Sequence, residues 1–105
     1  MTVGVYTLEL HLPSARSLKN KRQVVKSLKD RLRSRYNVAV AESGEHADLW
    51  QRAVLAIVSV ATDQHVLDRL FESVRREAEQ QVPGHVMETG REFIDASVDN
   101  EGDWS

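Results

Sequence analysis

Between Val3 and Leu12 apolar and polar residues alternate, with Tyr6, Leu8, Leu10 and Leu12 on one side and Thr7, Glu9 and His11 on the other. A period of two with this composition predicts a half-buried strand, ended by Pro13, which has no N–H for a ladder. The period then changes to 3.6. Counting about 100° per residue from Leu18, the side chains of Leu18, Val25, Leu28, Leu32 and Tyr36 share one sector, with Val24 at its edge. This predicts a helix over 18–35, capped by Ser17 and stopped at Asn37. Val38, Val40 and Glu42 alternate with Ala39 and Ala41 in a short second strand that fades at Ser43-Gly44. Residues 52–61 are apolar almost throughout, which predicts a third strand asking for cover on both faces. Thr62 or Asp63 caps a second helix to about Gln81, with Val66, Leu67, Leu70, Phe71, Val74 and Ala78 expected on its buried side. Pro83-Gly84 is a turn. A weakly patterned last strand runs over 85–95, with Gly90 marking a bulge.

The order β-α-β-β-α-β predicts an α+β, ferredoxin-like split β-α-β fold: a four-stranded antiparallel sheet with two helices on one face. Residues 1–95 form the single domain, and the acidic segment 96–105 is expected to be a flexible tail. The other face of such a sheet carries no helix. The third strand would place Leu55 and Ile57 on one side and Val54, Val58 and Val60 on the other, so one apolar row is left uncovered. Contiguous exposed apolar surface marks interaction sites. A homodimer through the sheet is therefore expected, with Trp50, Val54, Val58 and Val60 at the interface.

The 105 residues include no cysteine, which excludes disulfides, thiol catalysis and thiolate metal sites. No apolar run approaches the ~18 residues of a membrane span. The first residues lack the basic start of a signal peptide, so a cytoplasmic protein without membrane contact is expected. Charge is more informative. The net −2 conceals nine cations against two carboxylates in residues 1–36, and five arginines against fourteen carboxylates in the remainder.

Lys19, Arg22, Lys26, Lys29 and Arg33 fall within about 80° of one another on the first helix, a row read as free of acids. Like charges in a row repel, and cations near a helix N-terminus oppose the macrodipole by ~0.3–1 kcal/mol each. A bound anion would offset both costs, either a phosphate at the helix start or a nucleic-acid backbone along the row. Five such contacts predict a log–log salt slope of about −3.5 to −4.5. Lys21 falls instead among the apolar positions, where it either snorkels past the core edge or aims at an anion near the helix start. The competing reading is a solvated face whose charges pair with Glu72 or Glu79 of the second helix.

Other chemistry is sparse. His11, His46, His65 and His85 follow no metal-ligand spacing, and His46 with Asp48 makes only a lone pair. Glu9 and His11 outline an acid–base pair, but no nucleophile or oxyanion motif accompanies them. No catalysis, metal or cofactor is expected. The third strand has no aromatic residue for bases to stack on, so base reading across the sheet is not expected. Trp50 reads as a core or interface anchor, and Trp104 belongs to the tail.

Two segments carry a resemblance. The opening Gly4-Val5-Tyr6-Thr7-Leu8-Glu9-Leu10-His11-Leu12 leads into Ser17-Leu18-Lys19-Asn20-Lys21-Arg22, and Asp48-Leu49-Trp50-Gln51-Arg52 follows later. Over about residues 1–80 the chain resembles the YlxP-like family, small bacterial proteins classed as a domain of unknown function. The resemblance implies a ferredoxin-like fold. It also implies a setting in translation, because family genes often sit beside those for transcription factor NusA, translation initiation factor two and the ribosome-binding factor. Lys19, Lys21 and Arg22 match the family's basic motif, and Asp48, Trp50, Gln51 and Arg52 its second one. The expected function is a non-catalytic factor that touches ribosomal RNA or ribosomal precursor particles through the basic row. The alternative is a homo-oligomeric structural or regulatory domain with no nucleic-acid role.

Overall fold

Six elements follow one another in the computed structural model, which describes residues 1–97: β1 (Thr2–His11), α1 (Leu18–Arg35), β2 (Ala39–Glu42), β3 (Arg52–Ala61), α2 (Gln64–Gln81) and β4 (His85–Asp95). Their bounds agree with the periodicity, because the caps are those the sequence offers. The Ser17 hydroxyl accepts from the Asn20 N–H at 3.1 Å, and the Asp63 carboxylate accepts from the Val66 N–H at 3.2 Å. The strands form one antiparallel sheet in the order β2-β3-β1-β4. This is the ferredoxin-like arrangement. Residues 98–105, with Trp104 and most of the expected tail, lie outside the described residues. Ala96 still donates to the Met1 carbonyl at 2.8 Å, extending the β1–β4 pairing by one bond beyond Asp95.

The core lies between the sheet and the helices. Tyr6, Leu8 and Leu10 of β1, Leu55 and Ile57 of β3, Leu28 and Leu32 of α1, and Leu67, Phe71 and Val74 of α2 are fully buried. β1 is the central strand on which this layer is assembled, since it pairs with both β3 and β4 along its full length. Its register with β4 shifts between Thr7 and Leu8, leaving Thr89 without an opposite residue beside Gly90. The bulge expected at Gly90 is therefore present.

Two expectations change. Val66 is exposed rather than buried, because on the helical count it lies about 100° from Leu67, at the margin of the apolar sector. β3 is covered on one face only: Ala53, Leu55, Ile57 and Ser59 are buried, while Val54 and Val58 are half-buried and Val60 is 48% exposed. The Ser59 hydroxyl is satisfied by donating to the Asn37 carbonyl at 2.7 Å.

Phe71 fixes how α2 sits. Its ring stacks on Tyr6 with centroids 4.8 Å apart and planes 8° from parallel, and it passes directly over Gly4. A Cβ on Gly4 would come within 2.8 Å of the ring. The Arg91 guanidinium covers Tyr6 at 4.9 Å and bonds Asp68 and Glu88 at 2.9 and 2.8 Å, tying β4 to α2. Burial, with the neighbouring Glu88 carboxylate, pushes the Tyr6 hydroxyl up to about 12. At the far end of β1, Gly84 lets the Pro83-Gly84 turn run against the His11 carbonyl, which a side chain there would strike.

Gly4→Ala is expected to destabilise the fold by ~1–3 kcal/mol through overpacking. In urea unfolding the cost should fall well below additivity when Phe71→Leu is combined with it, because the two residues share one contact.

Candidate nucleic-acid interface

The fold divides the cations of α1 by flank. Arg31 and Arg35, on the side facing α2, both donate to Glu77, at 2.7 and 2.8 Å. The Glu77 side chain is only 4% exposed. Burial opposes its ionisation, but the two guanidiniums outweigh that penalty and hold its pKa below the ordinary carboxylate value. Glu72 and Glu79, the partners expected for this role, turn elsewhere: Glu72 to Arg91 at 3.6 Å and Glu79 to Arg75 at 3.6 Å. The helical count explains the difference. Glu77 lies within about 20° of Leu70 at the edge of the apolar sector, whereas Glu72 and Glu79 lie more than about 100° away from that sector's centre.

The opposite flank of α1 carries the basic row. Lys19, Arg22, Lys26 and Arg33 are exposed and Lys29 is half-buried. The row is not free of acids, as the sequence count suggested: Asp30 accepts from Lys26 at 2.7 Å and lies 3.7 Å from Arg33. Hydrogen bonding from Lys26, aided by the positive charges of Lys26, Arg33 and Lys29, holds Asp30 below its ordinary pKa. Arg33 also donates to the Val40 carbonyl at 2.9 Å. Among the described residues, Lys19, Arg22 and Lys29 have no carboxylate partner. The row overlooks a shallow groove between α1 and β2, walled by Arg22, Lys26, Lys29 and Arg33 with Glu42 opposite.

Lys21 does not join the row. It is 2% exposed, and its ammonium donates to the carbonyls of His46 at 2.8 Å, Leu49 at 2.7 Å and Ala47 at 3.4 Å. Those contacts engage the donors of an ammonium, so Lys21 is withdrawn from the phosphate role expected of it. The reason is geometric. It projects from the apolar sector toward the segment 43–51, whose turn otherwise leaves carbonyls facing inward. His46 adopts φ 63°, a left-handed conformation costly for a residue with a side chain, and Lys21 grips its carbonyl.

This grip joins the two segments that carried the family resemblance. Arg52, at the end of the second, donates to Glu9 on β1. Glu9 also pairs with His11 at 2.8 Å and lies 3.8 Å from His46. Hydrogen bonds from Arg52 and then His11 hold the Glu9 pKa down. Gln51 donates to the Pro13 carbonyl at 3.1 Å, while Asp48 is exposed. Trp50 is not a core residue: it is 50% exposed and precedes β3 rather than standing in the sheet. His65 is exposed at the start of α2, and His85 pairs with His11 across the β1–β4 register. Among the described residues no three His, Asp or Glu side chains are grouped so as to hold a metal ion, and no helix is long and apolar enough to cross a membrane.

A family model described as a protein of unknown function, DUF503, matches residues 3–91. The chain belongs to this family. Among curated proteins, the uncharacterized protein YlxP of Bacillus subtilis (strain 168) is 34% identical over 62 residues. That match covers 59% of this chain and 66% of YlxP, just under two thirds of its length. Family and relative agree with the resemblance read from the two motif segments. Among solved structures, the solution NMR structure of the de novo designed protein LFR1 1 with ferredoxin fold matches at TM-score 0.54 and 15% identity, covering 85% of this chain and 83% of that one. It supports the fold alone. The structure of Rv0793 from Mycobacterium tuberculosis covers 92% of this chain and 96% of its own at TM-score 0.40 and 15% identity, too loose a match to add to it.

Lys21→Met should cost ~1–3 kcal/mol by leaving inward carbonyls unpaired, and it should speed hydrogen exchange or proteolysis within 45–50 more than in the helices. Glu77→Gln should melt below the wild type at pH 7. Because the folded Glu77 pKa lies below the unfolded one, its contribution is complete above the unfolded value and lost as pH falls through the folded one. The two melting curves should therefore converge in acid, starting below about pH 4.3.

Proposed function

We propose that the protein is a non-catalytic, RNA-contacting accessory factor in translation or small-ribosomal-subunit maturation, holding phosphates against the outer flank of α1. One observation supports the reading above the rest. Among the described residues, Arg31 and Arg35 are engaged on Glu77, Lys21 on the carbonyls, Arg52 on Glu9 and Arg91 on β4 and α2. Lys19, Arg22, Lys26, Lys29 and Arg33 stand together on one outward flank with a single acid, Asp30, among them, and of the five Arg33 also bonds the Val40 carbonyl. A flank kept net positive in an acidic protein suits a polyanion better than general solubility. The setting in translation is carried over from the family resemblance.

With Asp30 neutralising one of five charges, binding to structured ribosomal RNA should show a log–log salt slope of about −2.8 to −3.6. An affinity independent of salt would overturn the reading. In sedimentation with bacterial ribosomal fractions at low and moderate salt, the wild type should co-migrate with small-subunit particles. The triple variant Lys19→Glu, Arg22→Glu, Lys29→Glu should not, while keeping its circular dichroism and melting temperature, since none of the three has an ion pair among the described residues to lose. Co-migration of the triple variant would remove the row from the mechanism.

A further inference from the structure

Trp50 ends the connection between β2 and β3, and its ring is 50% exposed on a backbone that is held on both sides. Before it, the Leu49 carbonyl accepts from the Lys21 ammonium at 2.7 Å. After it, the Gln51 carbonyl accepts from the Leu12 N–H at 2.8 Å, and the Gln51 side chain donates to the Pro13 carbonyl at 3.1 Å. Arg52 then donates to Glu9. An indole contributes to a fold through the area it buries, yet this one stands half in solvent beside Leu49, itself 44% exposed. Both residues line a cavity of about 410 Å³ together with Asp48, Gln51 and Arg52. A ring presented on fixed backbone loses little entropy when a second flat group packs against it.

We infer that Trp50 stacks an unpaired nucleobase of the RNA whose phosphates lie along α1. The inference rests on the RNA reading and adds the kind of RNA site that is taken. Two observations select a base as the occupant. The turn adjoins the start of the basic row: Lys21 and Arg22 share the wall of one cavity with Gly44 and Ala47. Lys19 and Arg22, at that end of the row, have no carboxylate partner among the described residues. A strand that follows the row therefore reaches the turn. The turn itself does not suit phosphates, because it carries Glu45 and Asp48, both exposed. Those acids keep the sugar-phosphate backbone over α1, while the uncharged face of a base meets no such repulsion at the ring. Inside a duplex both faces of a base are covered by its neighbours, so the ring selects a base in a loop, a bulge or a single-stranded end. Every base has such a face, so the contact distinguishes unpaired from paired RNA and is tolerant of sequence.

The test compares two probes, a blunt RNA stem and the same stem carrying an unpaired oligouridine extension, titrated into the full chain with Trp104→Phe. That replacement leaves Trp50 as the chain's one tryptophan. The extended stem should quench its fluorescence, and the blunt stem should bind without quenching it. Trp50→Leu should weaken binding of the extended stem about 5- to 100-fold, the loss of one stacked base, and leave the blunt stem unaffected. Its salt slope should equal that of the unsubstituted protein, because the phosphate contacts remain. Trp50→Phe keeps a stacking face and should recover most of the affinity. Binding of the extended stem with no quenching and no loss in Trp50→Leu overturns the inference alone and assigns the exposed ring to a protein contact. Equal weakening of both stems by Trp50→Leu overturns it too, since the ring then only supports the basic row. If neither stem binds, the RNA reading falls and the inference falls with it.

Discussion

Phe71 lies on Tyr6 over a position that has no side chain, and the placement of the charges on the two helices follows from that contact. With the ring seated at Gly4, α2 has one height and one rotation on the sheet. That rotation brings Glu77 to the seam between the helices, where it receives Arg31 and Arg35. Once those two arginines are engaged, the rotation of α1 is set as well, and Lys19, Arg22, Lys26, Lys29 and Arg33 face outward above β2. A stacked ring and a missing Cβ thus decide, two steps later, which charges meet solvent.

The same logic separates structural cations from available ones. In the seam, burial would disfavour a lone carboxylate, but two planar guanidiniums supply directed donors and reverse the penalty. On the outer flank, the solvated charges of Lys19, Arg22 and Lys29 have no such fixed geometry. Surface pairs such as Lys26 with Asp30 contribute little stability, so they are easily exchanged for a phosphate.

The fold was largely legible in the sequence because the periods are clean: alternation in β1, a single apolar sector in each helix, and side-chain caps at Ser17 and Asp63. The bulge beside Gly90 was also visible, since a lone glycine in a strand has few other uses. The site was less legible. Lys21 was placed among the apolar positions, with its ammonium expected to snorkel outward or meet an anion, but the carbonyls that meet it belong to a turn more than twenty residues away, and periodicity carries no information about such a contact. Glu77 was missed although its angle was available, because acids were weighed by their presence on α2 and not by their position around it. Asp30 was missed in the same way. It stands about 40° from Lys26, outside the row by count but within reach of a flexible ammonium.

The buried ammonium of Lys21 has a mechanical consequence. It roots the turn that carries Trp50 in the first turns of α1, so unwinding the start of the helix releases the turn, and displacing the turn strands a charge in the core. The two segments therefore share one opening equilibrium instead of fluctuating separately. Whatever orders the start of α1 also lowers the entropy of the exposed tryptophan some thirty residues away along the chain. In that sense the molecule has a lever, with its fulcrum at a single side chain.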